Sequence, residues 1–319
     1  MYRIGIDLGG TNIAAGLVNE EYRILRKRSV PTNATRPAAA IVDDMAELCK
    51  ELCAQEGIAL TAVDAIGIAS PGIADHDAGV VVYANNLPFC DLPICAMLAE
   101  RTGISNVHVE NDANAAAWGE AVAGAARGTD ISVMITLGTG VGGGIIIGGK
   151  VYSGCNCAGG ELGHIVIEKD GAPCSCGRRG CWEAYSSATA LIRMTREKME
   201  ECKRTGRDTL LLALAEQRGK VSGRNAFDAM RAGDAAGREV VDRYLEYLAV
   251  GLANIINIFQ PEIVSIGGGV ANEREYLLTP LIPKVRAEQY GGELAKATRI
   301  AIAELGNDAG IIGAAFLGI

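Results

Sequence analysis

No long run of lysine and arginine occurs anywhere in these 319 residues, and the formal net charge is −8. Duplex nucleic acid is gripped through clustered basic side chains, so it is not an expected partner. Small anions are not excluded by the sign, because backbone N–H groups bind phosphate whatever the overall charge. A basic segment leading into a signal-like apolar stretch is missing too: Met1-Tyr2-Arg3-Ile4-Gly5-Ile6-Asp7 runs straight into a strand pattern. The most apolar helical stretch, Tyr244 to Phe259, carries Glu246, Asn254 and Asn257, and is too short and too polar for a membrane span. Nor is there a Gly-x-x-x-x-Gly-Lys-Ser/Thr loop, so a nucleoside triphosphate has to be held without a Walker motif. Ten cysteines without a leader suit thiols or metal ligands better than disulfides, and the expected location is the cytoplasm.

What the chain does have is material for a core. Hydrophobic residues make up 49% and charged residues 21%, and the length suits two α/β domains. Tyr2 to Ile6 and Ala14 to Val18 read as strands joined by the Gly-rich turn Asp7 to Asn12. After Pro37, Ile41, Val42, Met45, Leu48, Cys49 and Leu52 fall on one helical face, with Gly57 as a stop. Ala65 to Ala69 and Val107 to Val109 read as strands, the latter running into an Ala-rich helix that ends near Ala123. Ile131 to Leu137, a Gly/Thr turn and Ile145 to Ile147 then repeat the opening strand–turn–strand unit, which suggests a duplicated plan. Gly149 to Cys181 reads as a structured loop. Helices are expected at about 187–202 and 237–259, a strand at 263–266, a strand near 300–303 and a last helix at about 308–317.

Several clusters can carry chemistry. Asp7 stands at a strand end beside Gly9, Gly10 and Thr11; the glycines admit phosphate to the backbone, and Asp7 suits a hydrated Mg²⁺. A plain hairpin turn accounts for that pattern about as well. Gly138, Thr139, Gly140 and Gly142 belong to a run with five glycines in seven residues, more than a hairpin needs, which points to backbone close to a ligand. Gly268 and Gly269 follow a buried strand and can admit a flat adenine, or simply form a strand-to-helix turn. Asn111-Asp112 lies where a strand gives way to a helix, a common place for ligand contacts, though an Asp there is usually a helix cap. The sharpest pattern is His164, Cys174, Cys176 and Cys181: one imidazole and three thiols within 18 residues, with the spacing of a tetrahedral Zn²⁺ site. Buried free thiols are the plain alternative. Cys155 and Cys157 read as spare thiols near that site, and Cys49, Cys53, Cys90, Cys95 and Cys202 as packing residues.

Taken together these residues resemble the ROK family of sugar kinases and repressors, over nearly the whole chain. Asp7-Leu8-Gly9-Gly10-Thr11 and Leu137 to Gly144 are similar to its two phosphate motifs. Glu161-Leu162-Gly163-His164 with Cys174-x-Cys176-Gly177-x-x-Gly180-Cys181-x-Glu183 resembles its signature, and Glu110 to Asn114 with Ala303 to Gly310 looks most like the bacterial glucokinases within it. The resemblance implies a two-domain actin-like ATPase (ribonuclease H-like) α/β fold with an active-site cleft between the domains. The small domain is then expected at 1–110 plus about 304–319, and the large one at 111–303. It implies ATP, Mg²⁺ and a structural Zn²⁺, with Asp112 as catalytic base and Asn86, Asn111, Asp112, Glu161, His164 and Glu183 on the sugar. His164 is expected to give one ring nitrogen to zinc and the other to sugar.

The implied activity is phosphorylation of a hexose, glucose first, with mannose, fructose, allose and N-acetylhexosamines such as N-acetylmannosamine as alternatives. A sugar-responsive repressor of the same family is the rival from another class, but only six residues precede Asp7, leaving no room for a helix-turn-helix domain. A sugar-binding protein without catalysis is a second rival, against which Asp112 and both phosphate turns weigh. A homodimer or homotetramer is the expected assembly.

Overall fold

The computed structural model describes residues 1–294 and 296–319. Its strands begin with β1 (Tyr2–Leu8), β2 (Asn12–Asn19), β3 (Ile24–Pro31) and β4 (Val63–Ser70). Then come β5 (Ile73–Asp75), β6 (Val80–Tyr83), β7 (Cys90–Leu92) and β8 (Val107–Asn111). They continue with β9 (Ile131–Leu137), β10 (Val141–Ile147), β11 (Lys150–Val151), β12 (Ile263–Gly267) and β13 (Arg299–Ile302). The helices run from α1 (Ala38–Glu56), α2 (Ile94–Thr102) and α3 (Asp112–Ala123) to α4 (Glu183–Ser186) and α5 (Ala188–Thr205). After them come α6 (Leu210–Arg218), α7 (Arg224–Arg231), α8 (Ala235–Phe259), α9 (Glu275–Glu288) and α10 (Ala309–Ala315). Among the described residues no helix is long and apolar enough to cross a membrane.

The expected duplication is visible in the sheets. One has the order β3-β2-β1-β4-β8 and another the order β11-β10-β9-β12-β13, so each reads third, second, first, fourth, fifth along its own stretch of chain. In the first, β1 pairs antiparallel with β2 and parallel with β4, which pairs parallel with β8. A separate small sheet holds β5, β6 and β7. Burial follows the helical period: Ile41, Met45, Leu48 and Leu52 of α1 are buried in one cluster with Ile4, Ile6 and Leu8 of β1 and with Ile66 and Ile68 of β4. Gly57, at φ 71°, closes α1 in the left-handed region.

The chain forms two compact units. The first comprises residues Met1–Met134, Gly144–Gly160 and Ala303–Ile319; the second comprises Ile135–Gly143 and Glu161–Ile302. A division at residue 110 differs from this partition because α3 is bound to α10. A β-carbon on Gly313 would sit 1.7 Å from the Ala115 carbonyl oxygen, and one on Gly119 would sit 2.3 Å from that of Ala309. The two helices therefore meet backbone to backbone, a closeness available only to residues without side chains. Trp118 adds a hydrogen bond from Nε1 to the Phe316 carbonyl, 2.8 Å.

Sequence periodicity overlooks β3 and α9 for different reasons. The run Ile24–Pro31 carries Arg26, Lys27 and Arg28 and forms an edge strand of its sheet, where charge is tolerated and alternation is weak. Helix α9 contains Pro280 and Pro283 and is carried by burial of Leu277, Leu281 and Val285 rather than by propensity.

Candidate functional site

In the first unit the strand register sets the geometry. Asp7 pairs with Ala69 across β1 and β4, Ala69 pairs with Glu110 across β4 and β8, and Ser70 pairs with Asn111. The carboxyl ends of three parallel strands thus form one rim, where open α/β sheets bind ligands. Asp7, Asn111 and Asp112 all lie on it.

The first Gly-rich turn is fastened by its own chain and by a residue the motif does not contain. Gly9 N–H donates to the Asn12 carbonyl at 2.9 Å. Buried Thr32 donates from Oγ1 to the Gly9 carbonyl at 2.6 Å and from its N–H to the Thr11 carbonyl at 2.9 Å. Sequence reading had no signal for Thr32, since it follows a polar edge strand and touches the turn only through pairing of β2 with β3. Asn86 lies against the same turn: a β-carbon on Gly10 would be 3.1 Å from its Cβ.

At the end of β8 the helix cap is Asn111, not Asp112. Asn111 Oδ1 accepts from the N–H groups of Ala113 (2.9 Å) and Asn114 (3.2 Å), and its Nδ2 donates to the Gly72 carbonyl at 3.0 Å. Asp112 is the first residue of α3, exposed, with its Oδ1 2.8 Å from the Ala113 N–H. Glu110 had no assigned role, yet it supports the turn from below. Its buried carboxylate accepts from Asn111 N–H (2.8 Å), Asn114 Nδ2 (3.1 Å) and Ser153 Oγ (3.3 Å), and it stands 3.7 Å from His76 Nδ1.

Burial, and next the charge of Asp112, push the Asp7 carboxyl up from 3.8 to about 6, against the opposing pull of Lys27. The folded state therefore keeps a proton between those two values that the unfolded chain releases. Stability contributed through this group is complete below about pH 4, falls as the pH climbs to about 6, and is level above. By the same linkage the ionised form costs up to about 3 kcal/mol at neutral pH without a cation. Asp7→Asn is accordingly expected to raise the melting temperature at pH 7 in Mg²⁺-free buffer and to leave it unchanged at pH 4. Calorimetry at the two pH values checks this; an equal shift at both would remove the buried charge as the cause.

In the second unit, Gly138 N–H donates to the Gly140 carbonyl at 3.0 Å, closing the second turn. The N-terminus of α5 holds it: Ala188 N–H donates to the Gly138 carbonyl and Thr189 Oγ1 to the Thr139 carbonyl, both at 2.8 Å. With those carbonyls engaged, what the turn can offer an anion is its N–H groups. A cavity of about 510 Å³ opens beside it, lined by Thr139, Gly140, Ser175, Glu183, Thr189 and Arg193 among others. The glycine run divides its labour. Gly142 and Gly144 lie within β10, and a β-carbon on Gly144 would meet Ala117 Cβ at 2.5 Å, so Gly144 serves packing of α3 rather than a ligand. Gly268 is likewise pressed against Leu137, 2.6 Å from a hypothetical β-carbon, whereas Gly269 faces open space.

The cysteine loop gathers as the spacing implies. One ligand atom from each of His164, Cys174, Cys176 and Cys181 lies within 4.8 Å of all the others. Cys176 and Cys181 sulfurs are 3.7 Å apart, and Cys174 Sγ is 3.6 Å from His164 Nδ1. Tetrahedral Zn²⁺ with Zn–S bonds near 2.3 Å requires S···S edges of about 3.8 Å, so the donors fit that ion in number, type and spacing. Burial and the adjoining thiols of Cys176 and Cys174 push the Cys181 thiol up to about 12, the behaviour of a crowded thiol whose ionisation calls for a cation. Local turns build this loop. Gly177 N–H donates to the Cys174 carbonyl at 3.1 Å, and Gly180, at φ 80°, passes so close to the Glu168 carbonyl that no side chain fits there. Fully buried Trp182 anchors the loop to α8 through Nε1 and the Tyr247 carbonyl, 3.1 Å.

His164 presents its two nitrogens differently: Nδ1 toward Cys174, and Nε2 4.0 Å from Glu161 Oε2. Glu161 is largely exposed. Of the remaining cysteines, Cys49, Cys53, Cys95 and Cys202 are buried as packing residues. Cys90 is not one of them: it is exposed on the short strand β7, whose residues have little to cover them. Cys157 belongs to the first unit, 3.8 Å from His76 Nδ1, and is outside the four-ligand group.

The chain as a whole is similar to known proteins. Residues 3–319 match the ROK family. A glucokinase of Thermotoga maritima is 39% identical over 98% of this chain and 95% of its own length. Another, of Halalkalibacterium halodurans, is 37% identical over 98% and 94%. The structure of a ROK family glucokinase from Streptomyces griseus, in complex with glucose and AMPPNP, superposes with a TM-score of 0.80 at 38% identity, covering 99% of each chain. The fold is thus the two-domain actin-like ATPase fold, with its paired sheets accounted for. By sequence along its length and by structure, this chain belongs to the ROK family.

Proposed function

We propose that the protein is an ATP-dependent hexose kinase that converts glucose to glucose 6-phosphate. The observation that carries this reading is the first-unit rim, where an exposed carboxylate at the start of α3, Asp112, and a second carboxylate beside a Gly-rich turn, Asp7, stand at the carboxyl ends of parallel strands in register. A base beside a phosphate turn is what phosphoryl transfer to an alcohol needs. The glucokinase relatives, and the glucose and AMPPNP in the Streptomyces griseus structure, support the choice of substrate and donor.

In this reading Asp112 accepts the proton of the sugar hydroxyl as its oxygen bonds to phosphorus, because a neutral hydroxyl is a weak nucleophile. Asn111, with its Oδ1 engaged in the cap, turns the second hydrogen of Nδ2 to the sugar. Asn86, Glu161, His164 Nε2 and Glu183 complete the hydroxyl ligands. Thr139 and Gly140 N–H groups, with Gly10 and Thr11 of the turn that Gly9 closes on Asn12, receive phosphate oxygens, and Gly269 leaves room for adenine. Asp7 would hold Mg²⁺ through water, and the ion supplies charge compensation on the transferring group. His164, Cys174, Cys176 and Cys181 would hold Zn²⁺, which supplies no reaction step but fixes the loop and the ring of His164. A cytoplasmic setting suits this thiol-rich cluster.

ADP release measured across glucose, mannose, fructose, allose and N-acetylmannosamine tests the assignment. Glucose is expected to give the highest kcat/KM, by about tenfold or more over sugars that leave a site hydrogen bond unpaired. Equal rates for all, or turnover with N-acetylmannosamine alone, would overturn glucose as the substrate.

A further inference from the structure

The carboxylate of Glu183 is bound both to the second Gly-rich turn and to the cysteine loop. Its Oε2 accepts the Val141 N–H at 3.0 Å, immediately after the second Gly-rich turn. Its Oε1 accepts from Ser175 Oγ at 3.3 Å and lies 3.7 Å from Cys174 Sγ, in the cysteine loop. A β-carbon on Gly140 would fall 2.2 Å from Oε2, so the turn comes as near to this acid as a bare backbone can. A second contact joins the same two pieces: a β-carbon on Gly163, next to His164, would be 2.2 Å from the Val141 carbonyl oxygen.

An acid at this distance from a turn that receives phosphate weakens anion binding by repulsion, so its position there needs a compensating role. The hydrogen bonds show what that role is. Helix α5 fixes the turn by its carbonyls, at Gly138 and Thr139, and Glu183 fixes it by the Val141 N–H. With both ends held, the Thr139 and Gly140 N–H groups between them keep one orientation. We propose that Glu183 is a positioning residue for the second phosphate turn, tying residues 138–141 to the cysteine loop. The inference rests on the reading of that turn as a phosphate site.

The test measures binding of Mg²⁺–AMPPNP by calorimetry in the absence of sugar, with folding of each variant checked by circular dichroism. Glu183→Ala is expected to weaken nucleotide binding about tenfold, the usual worth of a hydrogen bond to a charged group. Glu183→Gln keeps an acceptor for Val141 and loses the charge, and is expected to bind the nucleotide as tightly as wild type or more so. An acid that merely repels phosphate would make both variants tighter, and one that touches only sugar would change neither; each result overturns the proposal. Gly140→Ala separates this from the underlying reading. If it weakens the nucleotide while Glu183→Ala does not, only the positioning role falls; if Gly140→Ala binds normally, the phosphate turn falls with it.

Discussion

Asp112→Asn is expected to lower kcat by between about a hundredfold and ten-thousandfold, the range for loss of a positioned general base, while glucose binds with near wild-type affinity. The separation follows from local structure. Asn111, not Asp112, caps α3, so the backbone turn does not depend on the residue being replaced. The amide Oδ1 of the variant can keep the contact with the Ala113 N–H. What it cannot do is take a proton at neutral pH. The structural penalty is limited to the favourable placement of a negative charge at a helix N-terminus, about 0.3–1 kcal/mol. Single-turnover rates and glucose titrations decide the matter: a correctly folded variant with wild-type kcat would remove Asp112 from the base role, and one that failed to bind glucose would make it a binding residue instead. The substitution also takes away the second cause of the raised Asp7 pKa, so the pH dependence of stability at Asp7 should shrink with it.

Removal of one thiol from the four-ligand group is expected to cost more than activity. Cys181→Ser leaves three donors and an oxygen poorly matched to the vacancy, and metal affinity should fall by at least about a hundredfold, since even outer partners of a ligand are worth ten- to a hundredfold. The segment from Gly149 to Cys181 has little regular structure beyond β11 and a single 3-10 turn, so an ion bound by the four ligands would contribute folding energy to it. His164, Cys174 and Glu183 are linked within 3.7 Å, and they should lose their arrangement together. The expected outcome is about one zinc per chain by elemental analysis in the wild type, and far less in the variant, as a structural site predicts. A lower melting temperature and a weakened glucose Kd should accompany the loss. Wild-type protein that carries no zinc, or a metal-free variant that binds glucose normally, would show that the three thiols and the imidazole serve only as packing.

The first half of the site shows where motif reading stops. Asp7, Gly9, Gly10 and Thr11 are legible because a Gly-rich turn needs its residues consecutively, and the helix after Asn111 announces itself by a run of alanines. Thr32, Ser153 and His76 are not legible: each acts on the motif from 20 or more residues away, and isolated Thr, Ser or His residues have no pattern of their own. Glu110 was visible as part of the quoted motif but without a role, since nothing in its neighbours reveals that it is buried and accepts three hydrogen bonds. The excess of glycine after Leu137 suggested a ligand throughout; Gly144 proves to answer to α3 instead, because a packing glycine and a phosphate-binding glycine look the same in a string of letters.

Sequence alone determined those features whose cause is local. The two turns, the amphipathic face of α1, the stop at Gly57 and the four zinc-type donors each arise within one short stretch of chain, where side-chain chemistry, spacing and backbone period suffice. Tertiary structure alone decided the assignment of α3 to the first unit, the contact of Glu110 with Ser153 and the bridge from Glu183 to Val141. Each depends on a distance between segments far apart in the chain, often set by the lack of a β-carbon, and such distances exist only once the backbone has closed on itself.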